Sequence, residues 1–439
     1  MTAFVKKNLV KWYCLFLLQA VVYLYFITSV HRSQTHYVFL IFIFLFAGYA
    51  YTLNKYKSFY FRYIIAFAII FRIVMLFGLP WLSDDFYRFL WDGFLSYQGL
   101  NPYLHIPQEL LATGFQAPFS IDLMNSPSYY TVYPPFGQFT FFIANFLGKG
   151  DVFYTTLCMK LMMLFAELGT LYFLNVLLKK RNKQRYLLVY ALNPLVIVEF
   201  VGNLHAEGFM IFFLVLAIWL IEKQKLFFSS VAFALSICSK LLPILFLPFL
   251  LWLLGWKKAF FYIVSVICLV ALGFLPFWDY QLFPSMAKSL ALYFNHLEFN
   301  ASFYYLFKWM HWHLFEGALY VLKALFVIVF FLIWYRRRQA GIETFLVSSF
   351  FVFTLYLFSS QSIHPWYICM PLFLSVFTSY RFPIVWTFLS VFTYITYRTE
   401  AMQQQMWVVC LEYVILFGMI VWEVSKRKIK NESLAYEEG

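Results

Sequence analysis

The stretch Ser83-Asp84-Asp85-Phe86-Tyr87-Arg88-Phe89-Leu90-Trp91-Asp92-Gly93 gathers three carboxylates in a chain that has few. Ser83 is suited to cap a helix, and the two acids that follow suit its first turn, where the positive end of the helix dipole lies. Asp84, Arg88 and Asp92 recur at i, i+4 and i+8, so they share one helix face. Phe86, Leu90 and Phe94 form a second face. The pattern predicts a short amphipathic helix lying on a membrane surface, acid-lined on one side and ending near Gly93. A carboxylate placed there can take the proton of an attacking hydroxyl. Its plainer role is to complement the helix dipole. Asp84 and Asp85 are the candidate catalytic bases.

Further groups that could do chemistry follow along the chain. Gly99-Leu100-Asn101-Pro102-Tyr103 reads as a turn. Tyr133-Pro134-Pro135 reads as a helix entry or as a rigid wall beneath the acidic helix. Gly202-Asn203-Leu204-His205-Ala206-Glu207 joins two apolar runs. Its His and Glu are two apart, so only a turn converges them. They suit hydrogen bonding to a sugar or phosphate better than a metal site, which needs more ligands. Lys240, within Ser239-Lys240-Leu241-Leu242-Pro243, is costly amid apolar residues. It fits an anionic phosphate, or it snorkels to an interface. His364-Pro365-Trp366-Tyr367 sets a histidine beside aromatics at a helix end. Arg72, Lys160, Glu167 and Glu199 also fall in apolar runs and read as structural, with Lys160 and Glu167 spaced to pair.

The elements that carry these groups are membrane helices. Of the 439 residues, 63% are hydrophobic and only 12% charged, about half the charge of a soluble domain. Apolar runs repeat from end to end, predicting an all-α, polytopic transmembrane bundle of about 12–14 spans. The net charge of +13 does not point to nucleic acid, because the cations sit in short tracts between apolar runs. Those tracts are Lys6-Lys7, Lys55–Lys57, Lys179–Arg181, Lys257-Lys258, Arg336–Arg338 and Lys426–Lys428. This is positive-inside patterning next to anionic lipid. The six cysteines lie in apolar stretches without CxxC or CxxH spacing, which indicates neither a disulfide framework nor a zinc site. The first apolar run is too long for a signal sequence and reads as an anchor.

With the N-terminus inside, the polar stretch 81–135 falls outside. Residues 136–148 are marginal for crossing; if they are re-entrant or interfacial, every later basic tract falls inside. A second outer loop spans 277–316. One integral membrane domain, 1–439, results, with no soluble domain. The chemical residues then gather on the non-cytoplasmic face.

Taken in order over 83–367, these motifs, with Asn193-Pro194, resemble the GT-C superfamily of membrane glycosyltransferases. The nearest likeness is to bacterial polyprenol-phosphate-mannose-dependent mannosyltransferases, with a looser one to the GPI mannosyltransferase I catalytic subunit. The resemblance implies an acidic residue of the first outer loop as base, Asp84 or Asp85. It also implies hexosyl transfer, mannose favoured, from a polyprenyl-phosphate donor to a lipid, glycan or protein hydroxyl, with inversion. The setting would be the bacterial inner membrane. Arg88, Lys240 or His205 would offset charge on the leaving phosphate. Tyr87, Trp91, Tyr103 and Trp366 would stack on sugar faces. Asp92, Asn101, Tyr133, Asn203, Glu207 and His364 complete the expected donor site. No cofactor is required by the sequence, and divalent-metal dependence is left open. Two additional helices precede the acidic loop, and a C-terminal soluble domain of larger relatives is missing. A transporter or flippase of lipid-linked saccharides is the competing class; it needs no acid-lined interfacial helix and favours inverted repeats, which are not visible. A non-catalytic structural or polymerising membrane protein is a further alternative, and it would not need convergent His, Lys and carboxylate residues.

Overall fold

The computed structural model describes the backbone of residues 3–398 and 403–437 and the side chains of 10–291, 297–398 and 403–427. The side chains of Lys6, Lys7 and Lys428, and of 295–296, lie outside that description. Regular structure among the described residues is helical, apart from one isolated parallel bridge between Phe299 and Ser362.

The chain shuttles between two ends of a bundle. Helices α1 (Ala3–Ser29) and α2 (Thr35–Lys55) form a hairpin, and α3 (Phe61–Val74) returns beside it. The α1–α2 turn meets the exit of α3, where Arg32 N–H donates to the Trp81 carbonyl at 3.3 Å. At this end lie α4 (Asp85–Tyr97), α5 (Pro107–Ala112) and α6 (Pro135–Gly148). Helix α7 (Val152–Lys180) then runs to the opposite, basic end. The short α8 (Leu187–Ala191) and α9 (Pro194–Ile197) continue into a π-turn at Val198–Gly202, with a bend of 57° between the two halves. Asn193 makes that break possible: its side chain caps α9 by accepting from the N–H of Leu195 at 3.0 Å, and Pro194 fits the first turn.

Helices α10 (Glu207–Glu222) and α11 (Leu226–Ser239) form the next hairpin. Lys180 and Arg181 both pair with Glu222, fixing the basic ends of α7 and α10 together. A 3₁₀ run and α12 (Leu250–Leu254) lead to α13 (Trp256–Phe274). Next come α14 (Leu282–His296), α15 (Phe303–His313), α16 (Ala318–Arg336), α17 (Ile342–Ser359), α18 (Cys369–Ser375), α19 (Phe382–Leu389) and α20 (Met406–Glu437).

Among the described residues, eight helices are long and apolar enough to cross a membrane, or nine if the bent α8–α9 pair counts as one. That is fewer than the 12–14 apolar runs predict. Several runs are interrupted: Pro243 and Pro248 turn 242–249 into 3₁₀ helix, and Pro365 begins a four-residue 3₁₀ turn before α18. Helix α10 has only 16 residues, about 24 Å, short of a ~30 Å core. Such legs are tolerated where they are inside the protein. Every residue of α18 is buried, so its irregular flanks do not meet lipid.

Helix α6 has both ends at the polar end of the bundle. Its start packs Phe136 on Phe209 and Phe213 of α10, and its last residue, Gly148, lies against Thr155 in the first turn of α7.

Ionisable groups between the helices find polar partners on other legs of the chain. Arg72 Nε donates to Glu167 at 3.0 Å, and its Nη1 to the carbonyls of Ala68 and Ala191 at 2.9 and 2.7 Å; Tyr190 donates to Glu167 at 2.6 Å. Lys160 does not pair with Glu167 as its spacing suggests. Its ammonium donates to the carbonyls of Met75 and Gly78, left open where α3 ends. Replacing Glu167 with Leu therefore leaves a buried guanidinium unbalanced and should cost about 3–5 kcal/mol, while Arg72→Met/Glu167→Leu should recover most of it. Thermal unfolding in detergent measures both.

Candidate functional site

The acidic helix forms but runs past Gly93 to Tyr97, since Gly93 is packed inside it against α6 rather than ending it, and its shared face divides between two tasks. Asp84 sits at the N-cap of α4, and its carboxylate is ion-paired with Arg32 from the α1–α2 turn rather than capping the helix. The Arg32 guanidinium also lies 4.7 Å from the ring centre of Tyr397. Burial pushes the Asp84 carboxyl above the usual range, against the pull of Arg32, and the neighbouring Asp85 adds to the rise. Asp85 accepts from Asn125 Nδ2 at 2.5 Å, and its N–H donates to Ser83 Oγ at 3.3 Å.

One turn on, Arg88 and Asp92 face inward as a clamp. Arg88 Nε donates to Asp92 at 2.8 Å, and its Nη1 holds the carbonyls of Ser126 and Tyr129 at 3.1 and 2.7 Å. Asp92 also accepts from Thr131 and Gln138 and is fully buried. The structure thus places Arg88 and Asp92 in the folding of the 81–135 loop, away from an open site. Gly93 completes the clamp, because a Cβ there would lie 2.3 Å from the Phe141 carbonyl of α6. Asn101 and Tyr103 act similarly. Asn101 Nδ2 donates to the Phe277 carbonyl at 2.8 Å, and the buried Tyr103 donates to the Tyr133 carbonyl at 2.6 Å. They pin the loop to the end of α13. Trp91 is also fully buried, so neither it nor Tyr103 offers a face to a sugar; Tyr87 remains half-exposed.

The remaining expected residues converge. Asp85 lies near enough to His364, Tyr133 and Tyr397 to perturb their titration. Lys240, at the C-terminus of α11, places its ammonium 2.9 Å from Glu207, the first residue of α10, and 4.9 Å from the ring centre of Tyr367. The anion beside Lys240 is thus a protein carboxylate. Tyr133 packs edge-on to Phe89 at 4.9 Å. His205 Nε2 lies 3.2 Å from Glu199, which also receives Asn203 Nδ2 at 3.3 Å and the hydroxyl of Tyr394. Asn203 in turn accepts from Leu82 N–H at 3.3 Å.

A column of rings runs through this cluster. His205 stacks on Trp366 at 3.6 Å, Trp366 on His364 at 4.5 Å, and His364 on Phe299 at 4.7 Å. Both faces of Trp366 are therefore covered, and it cannot stack on a sugar. His364 bonds Ser362 Oγ through Nε2 at 3.2 Å, while its buried Nδ1 has no hydrogen-bond partner among the described residues. Burial pushes the His364 imidazole down to about 3, outweighing the opposing effect of Asp85. It is a neutral ring at physiological pH, so its contribution is hydrogen bonding and shape, not positive charge. Among the described residues no three His, Cys, Asp or Glu side chains converge as a metal cage.

Residues 17–256, more than half of the chain, match the family described as alpha-(1→6)-mannopyranosyltransferase, N-terminal domain. The chain belongs to this family of GT-C-type membrane mannosyltransferases. No curated protein and no solved structure matches it. The matched region holds the acidic helix, the 202–207 turn and Lys240 of this mannosyltransferase. The 364–367 segment that completes the ring column lies beyond it.

Two residues of the candidate site are not singled out by spacing. Arg32 stands in a five-residue turn between two long apolar helices, and a lone cation there was the available signal. Glu199 reads as structural from its apolar run, yet it holds Asn203, His205 and Tyr394 from within the π-turn, a feature that often marks functional positions. One outcome follows from the neutral His364. An imidazole depressed from 6.5 to about 3 on folding contributes stability that is complete above about pH 6.5 and is lost progressively as pH falls toward 3. The His364→Asn variant should flatten that acid limb, with midpoints several degrees closer together across the window, as read by thermal unfolding against pH.

Proposed function

We propose that this mannosyltransferase moves a mannosyl group from a polyprenyl-phosphate donor to an acceptor hydroxyl on the non-cytoplasmic face of a bacterial cytoplasmic membrane. The observation that carries the reading is the convergence of Asp85 with His205, Lys240 and His364 at one end of the bundle, opposite the end that gathers Lys180, Arg181 and Arg381. With the basic end inside, the site and the loops 81–135 and 277–316 face outward in one membrane-embedded unit. A donor anchored by a lipid tail reaches such a site laterally, within the bilayer.

The transfer is one displacement. The acceptor oxygen forms a bond to the anomeric carbon as the bond from that carbon to the phosphate oxygen breaks, and the polyprenyl phosphate leaves with the electron pair. Asp85 takes the acceptor proton. Asp85 suits this role better than Asp84, whose carboxylate is engaged by the Arg32 guanidinium. Lys240 and Arg32 lie at the site as cations that can balance the leaving phosphate, and His205, held by Glu199, offers a hydrogen bond. A single displacement inverts the anomeric centre, so an α-linked product, as the family description suggests, requires a β-linked donor phosphate.

Purified protein in detergent, given radiolabelled polyprenyl-phosphate mannose and a lipid extract of the host, should form labelled product. The Asp85→Asn variant should lose about 10²–10⁴-fold in rate, and Asp84→Asn should lose less. The product should yield its label to an α-mannosidase and not to a β-mannosidase. Full turnover in Asp85→Asn, or transfer from a nucleotide-mannose without any lipid donor, would sink the proposal.

A further inference from the structure

At the basic end, away from the transfer site, a cleft of about 160 Å³ opens between the C-terminal end of α2, the start of α8 and the start of α19. Leu53, Leu188 and Ile384 line it with apolar surface, and Arg185, Arg381 and Tyr186 line it with polar groups. Arg381 is held in place. Its Nη1 donates to the carbonyls of Ser375 and Tyr380, both at 3.2 Å, and its guanidinium lies 4.3 Å from the ring centre of Tyr186. Arg185 is exposed at the rim. Glu222 of α10 and Glu343 of α17 are already paired with Arg181, and the carboxylate that reaches Arg381, Glu423 of α20, accepts its backbone N–H at 2.9 Å, so Arg185 and Arg381 together leave the cleft with excess positive charge.

We infer that this cleft binds an anionic glycerophospholipid of the adjacent leaflet. Arginine matches a phosphodiester through its planar donor fork, and a cationic hollow between membrane helices with an apolar wall of Leu53, Leu188 and Ile384 suits a charged headgroup with its chains attached. The headgroup phosphate sits between Arg185 and Arg381, and an acyl chain runs along Leu53 and Ile384. Two arginines on an otherwise greasy wall select a net negative lipid over a zwitterionic one. The site ties together α2, α8 and α19, which come from distant parts of the sequence, so occupancy should stabilise the bundle.

Native mass spectrometry and thermal unfolding of the full-length protein test this, with phosphatidylglycerol, phosphatidylcholine or polyprenyl phosphate added to the detergent-purified sample. Phosphatidylglycerol should stay bound at activation energies that strip phosphatidylcholine, and should raise the unfolding midpoint by several degrees more. Arg185→Gln should lose most of that difference, and Ile384→Trp, which fills the apolar side, should lose it too. Both variants are first checked for a monodisperse profile. Equal retention of the two phospholipids overturns the assignment. So does a preference for polyprenyl phosphate, or phosphatidylglycerol selectivity unchanged in both variants. The readout is lipid retention, so failure here leaves the transfer reaction untouched.

Discussion

Arg72 and Glu167 meet where water does not reach, and the low polarity of that region dictates much of the architecture. A lone charge there is prohibitively unfavourable, so each must find its partner on a different leg of the chain. The Arg72 guanidinium meets its partners only if α3, α7 and the α8 end arrive together, since Glu167, itself held by Tyr190, and the Ala191 carbonyl come from the latter two. Lys160 fixes the height of α7 against the frayed end of α3 in the same way. At the other side of the bundle Glu412 of α20 takes the Trp386 indole of α19 at 2.9 Å and Asn300 at 3.2 Å. Apolar packing alone permits sliding; these pairs set register.

The same rule shapes the polar end, with a different result. There both members of Arg32–Asp84 and one of Lys240–Glu207 are partly exposed, while Glu199 holds His205 from a fully buried position. Charges at this end are balanced by each other, yet within reach of an incoming anion. Under the proposed reaction a phosphate competes with Asp84 and Glu207 for their cations. The rigid parts are elsewhere: the Arg88–Asp92 clamp and the Tyr103 and Asn101 pins hold the loop so that the exchangeable pairs stay in register.

Local spacing made the acidic helix legible, because Ser83, Asp84 and Asp85 carry helix-start chemistry and Asp84, Arg88 and Asp92 recur at i, i+4 and i+8. It could not say which face the loop would cover. That depends on residues 126–131, forty positions away, which take Arg88 and Asp92 out of reach. Trp366 fails as a sugar platform for a related reason, since its two covering rings come from positions 205 and 364. The convergence of His205, Lys240 and His364 was readable because each closes an apolar run on the same side. The span count was overestimated because apolar composition does not distinguish a continuous helix from a buried leg broken by proline.

The broken legs bear on how the protein is made. A segment such as 365–377, with proline-initiated turns in place of a full helix, has too few internal hydrogen bonds to rest alone in hydrocarbon as it leaves the ribosome. Its neighbours were synthesised much earlier; Asn193, for instance, awaits Thr387, which it bonds at 2.9 Å. The late segments must therefore be threaded against a half that is already in place. Because His364 and Trp366 travel with them, the ring column on His205 closes only near the end of synthesis. A nascent chain that ends before 364 consequently carries the acidic helix without the ring column that His364 and Trp366 complete.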